Sequence, residues 1–267
     1  MNIQLSRRMQ AVADMTVPGY PVADIGCDHG FVSIYLIQSG IAPHVYAADV
    51  RPGPLSRAKE HIMDAGLTEQ ITPVLSDGLQ HVPVEEGGAK AIVAAGIGGR
   101  LTLKILTDWP QKTEKLSWMV LEPQSDIHLV RQWLAENGFP VLKENLVFED
   151  GKFYPVLFAV NEKEAVWTEQ ILQMRQRKED LQNRWQQNSA DPARFQEACD
   201  LLGMENILSA HPVLQQYLAH TMEKDAQLLE EMEAASDSDR IRQRMEEISH
   251  RASLYRQVSD FIGKITE

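Results

Sequence analysis

Short apolar runs alternate with amphipathic segments through the first 160 residues of the chain. Five runs have the length and composition of buried strands: PVADIG, HVYAADV, ITPVLS, AIVAAGIG and SWMVLEP. Between the second and third runs, Leu55, Ala58 and Ile62 fall on one face of a predicted helix, and Gly66 follows as its C-terminal cap. This alternation predicts a parallel sheet with helices on both faces.

The pattern changes at the end of this region. Two extended runs, FPVLKENLVFED and KFYPVLFAV, are joined around Asp150 and Gly151, which predicts a hairpin turn. A parallel sheet that finishes in an antiparallel hairpin is the layout of the Rossmann-like methyltransferases that use S-adenosylmethionine. We therefore expect an α/β fold of this class over residues 1–160, acting as a cofactor-binding catalytic domain.

Strand signals end after residue 160, and helical periodicity replaces them. Ile241, Met245 and Ile248 recur at steps of four and three residues, and a similar stripe occurs on the preceding helix. Residues 234–239, AASDSD, predict the turn between these two helices. Residues 161–267 are thus predicted to form an α-helical domain of antiparallel coiled-coil type that serves as a scaffold or as a dimer contact.

Composition is that of a soluble globular protein, with 43% hydrophobic and 24% charged residues among 267. Neither a signal-peptide core nor a bilayer-spanning apolar run is evident, so we expect a cytoplasmic protein. Cys27 and Cys199 are the only cysteines, too few for a disulfide framework. The net charge of −12 argues against nucleic-acid binding by bulk electrostatics alone, but it allows a local basic patch.

The stretch DIGCDHG, residues 24–30, has the composition of a strand that passes into a helix beside a ligand. Gly26 allows the backbone to turn, and Gly30 opens the helix where a side chain would collide with the ligand. In a dinucleotide-binding G-x-G-x-x-G motif, the second glycine makes room for a pyrophosphate. Here that position is Asp28, whose charge would repel a pyrophosphate and suits a positive amino or sulfonium group. The motif therefore favours S-adenosylmethionine over NAD.

Two further acids end predicted strands. Asp49 ends the second strand, where a carboxylate can accept hydrogen bonds from both ribose hydroxyls. Asp77 ends the third, where it can meet the adenine amino group while Leu79 covers the ring. A single strand-end Asp is more often a cap or turn residue, but three in order indicate a cofactor site. The predicted cofactor-binding residues are Asp24, Gly26, Cys27, Asp28, Gly30, Asp49, Val50, Asp77, Gly78, Leu79, Ala95 and Gly96.

The fourth predicted strand ends in AAGIGG, and this bare backbone has two interpretations. Gly96, Gly98 and Gly99 can let a flat base approach closely and offer it N–H groups. The same residues can equally form no more than a tight strand-to-helix turn. The sequence alone leaves both open.

These motifs, taken in order, resemble those of the bacterial tRNA (adenine(22)-N1)-methyltransferase family. The matching blocks are LSRRMQAVA, DIGCDHG, GPLSRAKEHI, SDGL, AGIGG, RQWLAENGF and EDGKFYPV, and later LLGMENIL with HPVL, so the resemblance covers nearly the whole chain. Two departures occur. The family tends to have Leu-Gln-Pro-Asn where this chain has Leu121-Glu122-Pro123-Gln124, which adds an acid near the pocket, and Asp49 stands where the family often has Glu.

The resemblance implies methyl transfer from S-adenosylmethionine to N1 of adenosine 22 in the D-arm region of tRNA. N1 carries a lone pair, so catalysis needs in-line positioning and stabilisation of a cationic product, and the target nucleotide must be unpaired or flipped out. Asp28 is the first candidate for that stabilisation and His29 the second; Asp28 alternatively only orients the amino group of the methionine. The predicted substrate-binding residues are Arg7, Gly98, Gly99, Pro123, Lys152 and Tyr154, the last two as exposed residues of the hairpin.

Three other functions stay open. The same fold could methylate another RNA, a protein or a small molecule. An NAD-linked oxidoreductase is opposed by Asp28. The chain could also bind S-adenosylmethionine as a non-catalytic module, although its intact acids favour an enzyme. We expect tRNA to be the partner of a monomeric protein, with no membrane involved, and no metal, because the histidines lack metal-ligand spacing.

Overall fold

The computed structural model describes residues 3–189, 191–234 and 238–266. The chain divides into two compact units, Met1–Ile171 and Leu172–Glu267. The domain boundary that the sequence predicted after residue 160 stays a prediction. Within the ranges described, no helix is both long enough and apolar enough to cross a membrane.

The first unit is built on a sheet of seven strands. They are β1 (Val22–Ile25), β2 (Val45–Asp49), β3 (Ile71–Leu75), β4 (Ala91–Ile97), β5 (Trp118–Pro123), β6 (Val141–Glu149) and β7 (Lys152–Val160). Their order is β3-β2-β1-β4-β5-β7-β6, with β1 to β5 parallel and β7 antiparallel to both β5 and β6. All five predicted parallel strands and the final hairpin are present, so the predicted fold class is confirmed.

The central strands are covered on both faces, as their unbroken apolar runs predicted. Every residue of β1 and β5 is buried, and so are the first four residues of β4. Ile92, Met119 and Leu121 are among the fully buried side chains. Each such side chain contributes roughly 1.5–3 kcal/mol through its removal from water. This core fixes the carboxyl ends of the strands, where the polar residues lie.

The predicted hairpin turn is also observed. Asp150 and Gly151 have positive φ angles of 49° and 75°, and the flanking residues Glu149 and Lys152 are paired across the two strands. Positive φ at both central residues is the requirement of a type I′ turn, which Asp-Gly satisfies with little strain.

Helices cover the sheet and form the second unit. Those of the first unit are α1 (Arg7–Asp14), α2 (Phe31–Gln38), α3 (Pro52–Asp64), α4 (Gly99–Thr107), α5 (Pro110–Thr113) and α6 (Ile127–Glu136). α7 (Thr168–Asn188) begins in the first unit and ends in the second. The others are α8 (Phe195–Leu202), α9 (Met204–Leu208), α10 (Pro212–Glu233) and α11 (Asp239–Thr266).

The second unit contains the predicted antiparallel helical pair. The hydroxyls of Tyr217 on α10 and Tyr255 on α11 lie 3.3 Å apart, and Asp225 accepts hydrogen bonds from the Arg251 guanidinium. Asp225 interrupts the apolar stripe of α10, and the structure explains it as a buried partner for Arg251. Coiled-coil packing stays a prediction. The predicted turn at residues 234–239 includes three residues outside the described ranges.

Candidate functional site

A pocket of about 450 Å³ opens at the carboxyl ends of β1, β2 and β4. The pocket lies at the switch point of the sheet, where β2 pairs with one side of β1 and β4 pairs with the other. Open α/β sheets bind ligands at such a point. The lining residues that the sequence predicted are Asp24, Gly26, Cys27, Asp28, His29, Asp49, Ala95 and Gly96. The other lining residues are Gln4, Leu5, Ser6, Arg8, Met9, Phe31, Val32, Arg51 and Ile97.

The loop after β1 forms one wall and is fixed to the neighbouring strand. The N–H groups of Gly26 and Cys27 both donate to the carbonyl oxygen of Ala48, at 2.8 and 3.0 Å. Gly26 has a φ of 76°, so the glycine is required by the turn as predicted. Asp28 also has a positive φ, 47°, in a region where Asp is tolerated better than most residues.

The structure gives Gly30 a packing role, and its predicted role beside the ligand stays a prediction. A Cβ at this position would lie 3.2 Å from the Cβ of Ala58 on α3, and the φ of 74° disfavours any side chain. The residue therefore allows α2 to begin close to α3. Gly30 does not line the pocket, and the neighbour that a side chain would meet is Ala58 of α3.

Two buried carboxylates lie at the floor of the pocket. Asp24 accepts a hydrogen bond of 2.6 Å from the hydroxyl of Ser33, and burial raises the pKa of Asp24 to about 6. Asp49 accepts the backbone N–H groups of Arg51 at 2.8 Å and Asp28 at 3.3 Å, one on each carboxylate oxygen. Asp49 therefore ties the loops after β1 and β2 together while its carboxylate remains part of the pocket lining.

The two candidate catalytic residues lie at the mouth of the pocket. The side chain of Asp28 is 55% exposed, with His29 Nε2 at 3.5 Å and an Arg57 nitrogen at 4.0 Å. The His29 ring stacks on Phe31, which in turn stacks on His61. Asp28 thus faces solvent and the pocket, and its two nearest cationic groups lie at 3.5 Å or more.

Cys27 lines the pocket but is unsuited to nucleophilic chemistry. Burial, together with the nearby acids, raises the pKa of its thiol far above the ordinary value, so it stays protonated. Among the described residues, no group of three or more His, Cys, Asp or Glu side chains is arranged to hold a metal ion.

The residues predicted after β2 and β3 lie outside the pocket lining. Val50 is exposed, and the Asp77 carboxylate forms an ion pair of 2.9 Å with Lys104. Leu79 is fully buried in the hydrophobic core, so the prediction that it covers an adenine ring was wrong. A Cβ on Gly78 would contact Ile105 at 3.2 Å, so this glycine allows close packing against α4.

The glycines after β4 form a tight strand-to-helix turn. The N–H of Gly96 donates to Glu122 at 2.6 Å, and that of Gly99 donates to the carbonyl oxygen of Ser125 at 3.0 Å. These two N–H groups are thus already paired within the protein, which favours the second of the two interpretations, a tight turn. Gly98 and Gly99 lie outside the lining, whereas Gly96 belongs to it. Pro123 is buried and also lies outside the lining.

The N-terminal helix contributes a residue that the sequence analysis did not select. Arg7 is exposed and lies outside the pocket lining, whereas Arg8 lines the pocket and has its guanidinium 4.6 Å from the centre of the Tyr154 ring. Lys152 is exposed as predicted, but Tyr154 is half-buried, because Arg8 covers it. The signal available in the sequence was the pair of adjacent arginines, which does not reveal which one faces inward.

Glu122 is a second residue beside the pocket that the sequence marked only as an added acid. It is fully buried at the end of β5, accepts the Gly96 N–H, and lies 3.6 Å from a guanidinium nitrogen of Arg8. Burial raises the pKa of Glu122 to about 7, with Glu149 adding to the rise and Arg8 opposing it.

We expect Glu122→Gln to raise the free energy of unfolding at pH 8 by on the order of 2 kcal/mol, with a much smaller effect at pH 5. The folded pKa of about 7 exceeds the ordinary 4.5, so the contribution of the Glu122 carboxyl to stability is full below pH 4.5 and is lost as the pH rises through 7. Urea unfolding of both proteins at the two pH values measures this. Glu85→Gln, in an exposed ion pair with Lys115, is the control. Equal gains at both pH values would contradict the assignment.

Comparison with known proteins places this pocket in a family. Residues 5–157 match the family model described as a methyltransferase domain, which covers more than half of the chain. The chain belongs to this methyltransferase-domain family. The matched range contains every residue that lines the pocket except Gln4.

Relatives of this methyltransferase domain are found among bacterial tRNA methyltransferases. The tRNA (adenine(22)-N(1))-methyltransferase of Bacillus subtilis is 33% identical over 157 residues, which are 59% of this chain and 65% of that protein. A putative tRNA methyltransferase of Mycoplasma pneumoniae is 34% identical over 163 residues, 60% of this chain and 73% of that protein. The sequence match thus spans just under two thirds of the Bacillus subtilis relative.

A solved structure extends the similarity beyond the methyltransferase domain. The crystal structure of the Bacillus subtilis m1A22 tRNA methyltransferase superposes with a TM-score of 0.76 at 26% identity, covering 97% of this chain and 100% of that chain. The resemblance that the sequence motifs indicated is confirmed.

Proposed function

We propose that this protein transfers a methyl group from S-adenosylmethionine to N1 of adenosine 22 in tRNA. The observation that carries the proposal is the acid-lined pocket at the switch point between β1 and β4, in a chain whose relatives include a tRNA (adenine(22)-N(1))-methyltransferase. The carboxylates complement the positive charges of the cofactor, and the choice of tRNA as substrate rests on the relatives. The sequence led to the same proposal from its motifs.

The residues of the pocket fit S-adenosylmethionine. Its volume lies within the usual range for small-molecule sites, and its carboxylates suit a ligand that carries an ammonium group, a sulfonium group and two ribose hydroxyls. Asp49 would hold the ribose hydroxyls, and Asp28 and Asp24 would face the positive groups. When bound, the cofactor would supply the methyl group, whose carbon is electrophilic because the positively charged sulfur that bears it can leave with the bonding electron pair.

The protein itself has three tasks in this reaction. The loop after β1 and the Asp49 carboxylate orient the cofactor. The acceptor base must be held so that its N1 is in line with the methyl carbon and the departing sulfur. N1 of neutral adenine already has a lone pair, so no side chain need remove a proton before transfer. The base becomes cationic as it is methylated, and Asp28, exposed and within reach of the pocket, stabilises that charge.

The test is transfer of a labelled methyl group from S-adenosylmethionine to unmodified bacterial tRNA, followed by nucleoside digestion and mass analysis. We expect 1-methyladenosine at position 22 and none in a matched tRNA that carries guanosine there. Cofactor binding without label on any tRNA would exclude the proposed function and leave two alternatives. Label on protein or metabolites would indicate another methyltransferase, and none on any acceptor would indicate a non-catalytic module.

Two further properties are proposed on the same basis. A tRNA-modifying enzyme acts in the cytoplasm, and we propose that location here. We also propose a monomer, which light scattering after size-exclusion chromatography tests directly. A mass of twice 30.1 kDa would overturn it.

A further inference from the structure

A buried ionic cluster borders one side of the pocket. Glu122 Oε2 accepts the Gly96 N–H at 2.6 Å and lies 3.6 Å from a guanidinium nitrogen of Arg8. Glu122 Oε1 and Arg8 Nε are both buried and have no hydrogen-bond partner among the described residues. Buried polar atoms are normally paired, because leaving one unpaired costs roughly 1–3 kcal/mol. Through its contacts with Gly96 and Arg8, Glu122 links the turn after β4 to the N-terminal helix.

Arg8 is held in a defined orientation by three neighbours. Its guanidinium lies over the ring of Tyr154, its backbone N–H donates to Glu149 at 3.2 Å, and Glu122 lies beneath it. The side chain is nevertheless 22% exposed and lines the pocket. An arginine fixed in this way loses little conformational freedom when it binds an anion.

The two sides of the pocket carry different charges. Asp24 and Asp49 belong to β1 and β2, and Arg51 is already engaged with Asp49. On the other side, Gly96 and Glu122 are the penultimate residues of β4 and β5, and Arg8 is a pocket-lining cation there. Because the acids of β1 and β2 suit the cofactor, we assign the methyl acceptor to the side of the pocket next to β4 and β5. A nucleotide brings a phosphate to that side.

We propose that Arg8 binds a phosphate of the acceptor nucleotide, and that Glu122 is the positioning residue that holds Arg8 and the Gly96 backbone in place. This assignment rests on the proposed function, because it takes a nucleic acid as the acceptor. Without the Glu122 charge, Arg8 would be retained only by Tyr154 and by its own backbone. Its guanidinium would then have to be ordered again each time substrate binds.

Steady-state methylation of tRNA tests the proposal in Arg8→Ala, Glu122→Gln and the double variant. We expect Arg8→Ala to raise KM for tRNA roughly tenfold, with KM for S-adenosylmethionine within about twofold of wild type. Glu122→Gln should raise KM for tRNA roughly threefold, and the double variant should match Arg8→Ala, because Glu122 acts through Arg8. Thermal unfolding of each variant checks that it is folded.

The matched controls are Glu85→Gln and Lys115→Ala. They remove an exposed ion pair with an N–O distance of 2.7 Å that precedes β4 and β5, at the opposite edge of the sheet. Neither control should change KM for tRNA. The proposal is overturned if Arg8→Ala leaves KM for tRNA unchanged, if its main effect is on cofactor binding, or if the effects of the two substitutions simply add.

A binding measurement separates this proposal from the proposed function. Adenosine 3′,5′-bisphosphate and adenosine are titrated by NMR into the protein saturated with S-adenosylhomocysteine. Wild type should bind the bisphosphate more tightly, and Arg8→Ala should bind both equally. If wild type methylates no tRNA, the proposed function fails, yet this comparison still decides whether Arg8 recognises a phosphate. Equal affinity of wild type for the two probes would refute the assignment.

Discussion

Replacing Asp49 with alanine is expected to weaken binding of S-adenosylmethionine by at least about 100-fold. Hydrogen bonds to a charged group are worth roughly 1.5–3 kcal/mol each, and this carboxylate can accept one from each ribose hydroxyl. It also accepts the backbone N–H groups of Arg51 and Asp28. On the proposed assignment, the substitution removes a ligand contact, and it also loosens the loops after β1 and β2 that Asp49 holds together.

Isothermal titration calorimetry with S-adenosylmethionine and S-adenosylhomocysteine measures this loss. Asp64→Ala is the control, because Asp64 is an exposed acid at the end of α3 and its removal changes the net charge equally. Asp49→Asn retains one carboxamide oxygen and should fall between the two. An affinity for Asp49→Ala close to that of the control would remove Asp49 from the binding site.

Gly99→Ala is expected to destabilise the first unit by about 4 kcal/mol, because it forces two pieces of backbone apart. An ideal Cβ on Gly99 would lie 2.1 Å from the carbonyl oxygen of Ser125 and 3.1 Å from the backbone of Asp126. No flexible side chain can move to relieve the contact. Either α4 or the loop before α6 must shift, and the hydrogen bond from the Gly99 N–H to Ser125 would be lost.

Urea unfolding followed by circular dichroism measures the effect. Gly53→Ala is the matched control, because Gly53 lies in α3 and a Cβ there would meet nothing within 4 Å. Alanine favours a helix over glycine by roughly 1 kcal/mol, so this control should be neutral or stabilising. Equal stability of the two variants would mean that the turn after β4 adapts to a side chain.

The strands could be predicted from sequence because burial from both sides leaves unbroken apolar runs. The hairpin could be predicted because Asp150 and Gly151 suit a backbone that few other pairs adopt. The short helices α8 and α9 were missed. With eight and five residues, they offer little more than one or two turns in which a periodic pattern can appear.

The side of the site formed by α1 and β5 could not be predicted for a different reason. Adjacent helical residues point about 100° apart, so the sequence cannot decide between Arg7 and Arg8 until the packing of α1 is known. Glu122 was recognised as an added acid near the pocket, but its partner Arg8 is more than a hundred positions away in the chain. Leu79 was assigned to a ligand because strand ends look alike whether they face a pocket or the core.

The order of the strands also affects how the protein is synthesised. The pocket joins β1 and β2 to β4, and β4 pairs directly with β1 although β2 and β3 lie between them in the chain. When β1, β2 and β3 have emerged from the ribosome, the nascent chain has the acids of the site. It still lacks β4, which forms the opposite wall of the pocket. Cofactor binding cannot assist folding until β4 has emerged and closed that gap. Nascent chains that are stalled before β4 should therefore not bind the cofactor, whereas chains that are stalled after β4 has emerged should bind it.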